Sequence, residues 1–410
     1  MRPFQIVHID HTELQIILRV PGSKRSLGRA WLSLAVDAES RAIVGFYLSF
    51  EPPSYRSCMM VLRDIVRRHG RMPEMIVLDN GKEFHSRAFH RVCALYGCSI
   101  RYRPSGQPRH GSVMERLFGT TQSQLINNLA GNTQVLRHAR MATKSVMPEN
   151  FVYWTLPALH GALDYYFENI YGKDPHPAHG DGPVEHLRTR LIETGERRMR
   201  MVGFDHRFMI ETCPSPIDRD TRIVDIQRGV KINHIWYWND ALRAAGLKGK
   251  PIQVRVDPWD VRYVFVLIGR WWYRCVSKLV HLVRSYTEVE LRCACEEMAV
   301  KHSIQKKDLS PERLAERLAV MDAGRFDPRL LDSQAEARLV YDQLGMASVW
   351  RPEEKDTDLE PAGLPCRSGS SAPALKQLNC VPNPSDIVID MPCQSEPGDV
   401  QAFDDDYDLL

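Results

Sequence analysis

Apolar and polar residues alternate over residues 4–14 around Ile6, Ile9 and Asp10, and a short apolar run at 16–20 leads into a basic, glycine-containing turn at 21–29. Alternation with period two predicts strands, here two of them before the turn. Residues 30–36 and 42–50 continue the pattern on either side of Asp37, Ala38, Glu39 and Ser40, which predicts a hairpin and an antiparallel opening to the chain. From Tyr55 to His69 the apolar spacing becomes helical (Met59, Leu62, Ile65, Val66) and stops at Gly70. Residues 75–78 then form a short apolar strand ending on Asp79. A second helix at 86–96 closes at Gly97, a fifth strand follows at 99–103, and a loop rich in Pro, Gly and Ser leads into a helix from about Ser112. The order βββαβαβα predicts an α/β domain, a mixed five-stranded sheet with flanking helices.

Helical spacing returns at 151–171 and 184–198, interrupted by a His-, Pro- and Gly-rich loop at 172–183. These helices are expected to complete a first domain, residues 1–200. Between 221 and 283 the chain changes to short alternating runs rich in Ile, Val, Tyr and Trp (231–238, 252–256, 261–268, 271–276), which predicts a small all-β barrel at 201–285. The aromatic residues Trp236, Tyr237, Trp238, Trp271, Trp272 and Tyr273 could stack on bases, but their strand period favours packing. Helices predicted at 288–301, 311–321 and 333–344 form a helical extension, residues 286–350. The last sixty residues hold eight prolines and few aromatics, the composition of a disordered tail at 351–410.

Charge divides the chain at the same place. Residues 351–410 carry four Lys and Arg against thirteen Asp and Glu, whereas the body before them holds 50 basic and 38 acidic groups. A basic body suits a polyanion and an acidic tail suits a protein partner. The ten cysteines are scattered, with Cys293 and Cys295 the closest pair, so no structural zinc site is expected. With no apolar run near membrane-spanning length and no signal peptide, the expectation is a cytoplasmic chain with free thiols and no membrane contact. His8, His11 and His281 share no ligand-like spacing and are read as structural.

Three carboxylates carry the candidate chemistry. Asp10 lies in the apolar run Ile6, Val7, His8, Ile9, where an unpaired carboxylate is costly and needs a partner. Asp79 ends a second strand, and Glu115 begins a helix beyond a flexible stretch. Two strand-borne aspartates and one helix-borne glutamate can converge at a sheet edge to hold hard divalent cations through oxygen. Such a cluster supports two-metal phosphoryl chemistry.

Thirty-five residues separate Asp79 from Glu115. With that interval come Asp79-Asn80-Gly81-Lys82-Glu83-Phe84, Tyr102-Arg103-Pro104-Ser105-Gly106-Gln107-Pro108 and Gly111-Ser112-Val113-Met114-Glu115-Arg116. In these motifs the chain resembles the DDE transposase and integrase superfamily, whose DD(35)E members are named for the interval and whose core is ribonuclease H-like. Residues 229–241 and Val254-Arg255-Val256-Asp257-Pro258-Trp259-Asp260 are similar to the barrel that follows the core in Mu-type transposases, and together with the acidic tail they make the chain most like TnsB and TniA.

The resemblance implies a DNA transposase that cleaves transposon ends and joins their 3′-hydroxyls to target DNA. It implies two Mg²⁺ ions per active site, replaceable by Mn²⁺, on Asp10, Asp79 and Glu115. Lys82, Arg103, Arg109, His110 and Arg116 are the expected phosphate contacts, with Lys24 and Arg25 of the basic turn added. Implied partners are double-stranded transposon-end and target DNA, an AAA+ ATPase bound through the tail, a partner endonuclease and further copies of the chain, as a tetramer on DNA in the prokaryotic nucleoid. Retroviral integrases place a Lys one turn after the glutamate, where this chain has Gly119, so no lysine role is transferred. Family members carry DNA-end-binding helical domains before the core, whereas this sequence reaches its first catalytic strand at Phe4. That start implies a truncated product or a split protein, and it keeps open a catalytically silent regulator that binds DNA or the ATPase.

Overall fold

The alternation that opens the chain becomes one long strand, β1 (Ile6–Arg19), in place of the two expected. Its pairing with β2 (Ser26–Asp37) shifts register between Glu13 and Ile17, so a bulge absorbs the break in the pattern without ending the strand. β2 starts inside the basic stretch assigned to the turn and returns through β3 (Ile43–Ser49). The hairpin between them is fixed by buried Asp37, which accepts hydrogen bonds from the Phe4 and Ser40 backbone amides and the Ser40 hydroxyl. Here the protein is seen as a computed structural model describing residues 1–23, 25–79, 81, 85–103, 112–134, 148–195, 201–216, 220–233, 235–277, 280, 286–301, 319 and 327–349. The acidic tail and most of the helix expected at 311–321 lie outside the described residues.

Helix α1 (Tyr55–His69) starts on a capping box formed by Ser54 and Ser57 and ends at Gly70, which takes the left-handed conformation. It lies so close to the sheet that a Cβ on Gly45 would come 2.9 Å from Ile65 Cγ1. β4 (Met75–Leu78), α2 (Arg87–Leu95), β5 (Ser99–Tyr102) and α3 (Ser112–Gln124) follow. The sheet order is β3-β2-β1-β4-β5, antiparallel up to β1 and parallel from β1 to β5. Val7 and Ile9 pack with Met59, Leu62 and Phe89 beneath α1 and α2. Leu14, Ile16 and Leu18 join a second cluster with Met114, Leu117 and Leu159, under α3 and α4 (Leu156–Tyr165). Helices thus cover both faces of a mixed sheet, the ribonuclease H-like arrangement that the element order predicts. The long helix expected at 151–171 is α4 followed by a single π turn, Tyr166–Ile170, and α5 (Pro183–Thr194) comes after the loop.

Helix α6 (His206–Glu211), capped by Asp205, leads into β6 (Thr221–Ile223), β7 (Val230–Ile232), β8 (Ile235–Trp238), the short α7 (Ala241–Ala244), β9 (Pro251–Val256), β10 (Tyr263–Ile268) and β11 (Trp271–Ser277). Their order, β6-β9-β10-β11-β8-β7, makes a near-closed antiparallel barrel. The run read as one strand at 231–238 is a hairpin, because Asn233 takes a positive φ of 45° that turns the chain. Tyr237 and Trp272 are buried, whereas Trp236, Trp238 and Trp271 lie half-exposed with Arg228 and Lys231, Arg243 and Arg270 over their respective faces. Tyr237 and Tyr273 pack into the barrel core, whereas Trp272 is buried on the barrel's outer face against Met209, Ile210 and Val349.

After α8 (Glu288–Lys301), helix α9 (Pro328–Gln343) begins on an Asp327 cap, earlier than its apolar spacing predicts. It packs beside α4 and β2, and the Tyr341 hydroxyl bonds both the amide and the carbonyl of Leu48 on β3. The segment after it joins sheet and barrel. Arg63 of α1, 1% exposed, donates to the carbonyls of Met209, Met346 and Ala347, to the Thr212 hydroxyl and to the Cys213 sulfur. Asp257, at the end of β9, accepts from the Val349 and Trp259 amides and the Ser348 hydroxyl.

Burial, and then the nearby charge of Asp260, push the Asp257 carboxyl up to about 6 from an ordinary 3.8. A folded-state value above the unfolded one gives a contribution to stability that is complete below about pH 4 and is lost as pH rises through about 6. Thermal unfolding followed between pH 4 and 7 is therefore expected to show a downward component in Tm that Asp257→Asn removes. An unchanged profile in that variant would contradict the assignment.

Candidate active site

The parallel half of the sheet sets three polar residues in one row. His8 on β1 is level with Val77 on β4, so Asp10, two residues on, stands opposite Asp79. Leu78 is level with Tyr102 on β5, which places Arg103 beside Asp79 in turn. Open α/β sheets hold ligands at the carboxyl ends of their parallel strands, where the backbone leaves the sheet. Asp79 sits there and accepts a hydrogen bond from the Gly81 amide at 2.9 Å, a tight turn for which the Asp-Asn-Gly sequence is suited. Asp10 accepts from the His11 amide at 2.8 Å and pairs with Arg103 across the row at 3.3 Å.

Electrostatics ties the two aspartates together. Burial raises the Asp10 carboxyl above its ordinary range and the charge of Asp79 adds to the rise, while the His11 amide and Arg103 oppose it. Two carboxylates drawn together with limited solvation favour a cation between them, and their all-oxygen donor set fits a hard divalent ion. His11 lies against them with Nδ1 2.6 Å from the Ser33 hydroxyl, and burial lowers it to about 4, so it is neutral near pH 7. Burial, aided by Arg103 and Arg41, lowers His8 to about 4 as well. Both therefore remain neutral walls of the site, in keeping with the structural role read for them; His281 lies outside the described residues.

Glu115 comes from the first turn of α3, whose Met114 and Leu117 anchor it in the core beside β1. A carboxylate is favoured there by the helix dipole. Its side chain is exposed, and its oxygens are not gathered with those of Asp10 and Asp79 into a three-ligand group. Among the described residues, the group whose ligand atoms all lie within 4.8 Å of one another is His179, Asp181 and His186, beside α5.

The expected phosphate contacts divide. Lys24, Lys82, Arg109 and His110 lie outside the described residues. Arg116 is exposed on α3 next to Glu115. Arg25 instead pairs with Asp332 of α9 at 2.6 Å, and Arg103 is the partner of Asp10. The sequence reading missed this role of Arg103, although its place at the end of a parallel strand level with Asp79 was available from the strand pattern.

Residues 8–131 match the family described as TnsB C-terminal domain, and residues 215–270 match Mu transposase, C-terminal. The transposase for transposon Tn552 of Staphylococcus aureus is 28% identical over 137 residues, which is 32% of this chain and 28% of that one. The transposase for insertion sequence element IS904 of Lactococcus lactis is 24% identical over 140 residues, 34% of this chain and 53% of that one. The matched stretch thus spans between about a quarter and a half of these relatives. The solved HTLV-2 integrase catalytic core domain in complex with magnesium aligns with a TM-score of 0.30 at 15% identity, covering 46% of this chain and 98% of that one. Among the described residues no helix is long and apolar enough to cross a membrane.

If Arg103 holds down the Asp10 carboxyl, Arg103→Gln raises that group further. Carbon-detected NMR titration of the labelled aspartates reads this directly, and an Asp10 midpoint that stays put or falls would remove Arg103 from the site.

Proposed function

We propose that this chain, a member of the DDE transposase and integrase superfamily related to the Mu and TnsB transposases, cleaves transposon ends and joins the freed 3′-hydroxyls to target DNA. The observation that carries this reading is the row formed by Asp10, inside β1, and Asp79, at the end of the adjacent parallel strand β4, within the segment that matches TnsB. Asp10, Asp79 and Glu115 are the residues that would hold two Mg²⁺ or Mn²⁺ ions. Bound there, the ions would supply Lewis acidity to the attacking and leaving oxygens of a phosphodiester.

The chain's own residues supply position. β1 and β4 fix the two aspartates in register, and Arg103 orients Asp10. Helix α3 delivers Glu115 and, beside it, Arg116 as a contact for DNA phosphate. Lys82, Arg109 and His110, close in sequence to the three carboxylates, extend that contact. The barrel adds cations stacked on half-exposed tryptophans, a surface suited to a second length of duplex. Assembly as a tetramer on DNA, a partner endonuclease and a prokaryotic cytoplasmic setting belong to the same reading.

Strand joining is the direct test. The purified chain, given pre-cleaved element ends, target duplex and Mg²⁺ or Mn²⁺, is expected to form joined products, and Asp79→Asn to lower the rate by ~10²-fold or more. Joining that survives Asp79→Asn would sink the site; absence of joining with intact DNA binding would favour a silent regulator. The acidic tail is proposed to dock the AAA+ ATPase. Deleting residues 390–410 should abolish capture of that ATPase while sparing end cleavage, and unchanged capture by the shortened chain would refute the docking role.

A further inference from the structure

Cysteine spacing predicts no structural zinc site, and the loop at 172–183 reads from sequence as a His-, Pro- and Gly-rich break between helices. In the fold it is tightly built. A Cβ on Gly182 would come 2.8 Å from the carbonyl oxygens of Gly172 and Lys173, so the base of the loop closes only with glycine. The Val184 amide donates to the Gly172 carbonyl at 2.9 Å, and the His176 amide to the Asp181 carbonyl at 2.9 Å. Pinched in this way, the loop lays the His179 ring parallel to that of His186 on α5, with centroids 3.9 Å apart.

We propose that His179, Asp181 and His186 form a second metal site, separate from the carboxylate row, for a transition-metal dication of the zinc class. The tautomers support it. His179 Nε2 faces the Ser40 carbonyl at 3.0 Å, which can only accept, and Nδ1 receives the Asp181 amide at 3.3 Å. The proton is therefore on Nε2, and the Nδ1 lone pair, directed into the cluster, would exchange its long bond from the Asp181 amide for the ion. His186 Nδ1 lies 3.1 Å from Asp181 Oδ2, close to the ~3.3 Å ligand-to-ligand edge of a tetrahedron with ~2 Å bonds.

Behind the ring, His186 Nε2 is 3.6 Å from Glu39 Oε1, which Arg190 holds at 2.7 Å. Carbonyl and carboxylate groups backing the two imidazoles are the supports that metal-ligating histidines ordinarily have. Two imidazoles and a carboxylate select zinc over Mg²⁺. On binding, His186 gives up its Nδ1 proton and takes one on Nε2, which faces Glu39, by exchange with solvent, so the ring stays neutral while the parallel rings turn toward the ion.

The ion would tie the β2–β3 hairpin to the loop and α5. Residues 174–178 of the same loop line, with Arg116, a cavity of about 450 Å³ beside the helix that carries Glu115. The site thus stiffens a wall next to the proposed catalytic glutamate.

Zinc content, Co²⁺ absorption and thermal unfolding of the full chain test the proposal after metal is stripped and Zn²⁺ or Co²⁺ returned at micromolar concentration. The expected result is about one equivalent bound, a tetrahedral Co²⁺ spectrum and a rise in Tm with Zn²⁺. His186→Ala and His179→Gln should lose all three while their metal-free Tm stays near that of the parent; Asp79→Asn should keep them. Binding that persists in both histidine variants, or no binding by the parent chain, would overturn the site. Because the readouts are metal content, spectrum and unfolding, failure of strand joining leaves this result unaffected.

Discussion

A single buried cation holds the parts of this molecule in one arrangement. Arg63 has no carboxylate partner among the described residues, and its charge is spread over carbonyls, a hydroxyl and a sulfur drawn from two distant stretches of chain. A guanidinium in a site this dry is tolerable only when its donors are satisfied together. Helix α1, the α6 linker and residues 346–347 must therefore all be in place at once. Asp257 makes the matching demand from the barrel side, through residues 348 and 349. The stretch just before the acidic tail is thus an internal part of the fold, and the barrel is set against the sheet by buried polar groups as well as by apolar contact.

The same logic runs through the carboxylate row. Asp10 is placed where its own ionisation is disfavoured, with one arginine to offset the cost. Neutral His8 and His11 contribute bulk without charge, so the local field is governed by the aspartates and Arg103. Paired carboxylates with little solvation suit a hard cation better than an anion. The exposed Glu115 belongs to a helix whose buried side is fixed, while its polar side is open to whatever approaches the row.

Strand and helix positions near the row were legible in the sequence because hydrophobic period, glycine stops and short apolar runs all agreed there. Tyr55–His69 and Met75–Leu78 have the limits that their patterns indicate. The opening strand was not, since a bulge keeps one strand continuous across a break in alternation, and only the partner strand reveals it. The hairpin at Asn233 was hidden because apolar residues flank the turn on both sides. Asp10 and Asp79 stood out as carboxylates in or at the end of apolar runs, a local signal. The partners of Arg103, Arg63 and the histidine loop are long-range: Asp10 is 93 positions from Arg103, Met346 is 283 from Arg63, and His179 meets Ser40 across 139. No periodicity carries information of that range.

The contact between Tyr341 and Leu48 has a consequence for how copies of this protein can meet. β3 is the outer strand of the five-stranded sheet, and an outer strand offers unpaired amides and carbonyls to any passing strand. One phenol hydroxyl occupies both groups of Leu48, and α9 lies along the sheet on that side. Extension of the sheet by a neighbour's strand is blocked there, so assemblies of this chain must be built through helices, loops or the barrel and cannot propagate as a continuous sheet from β3.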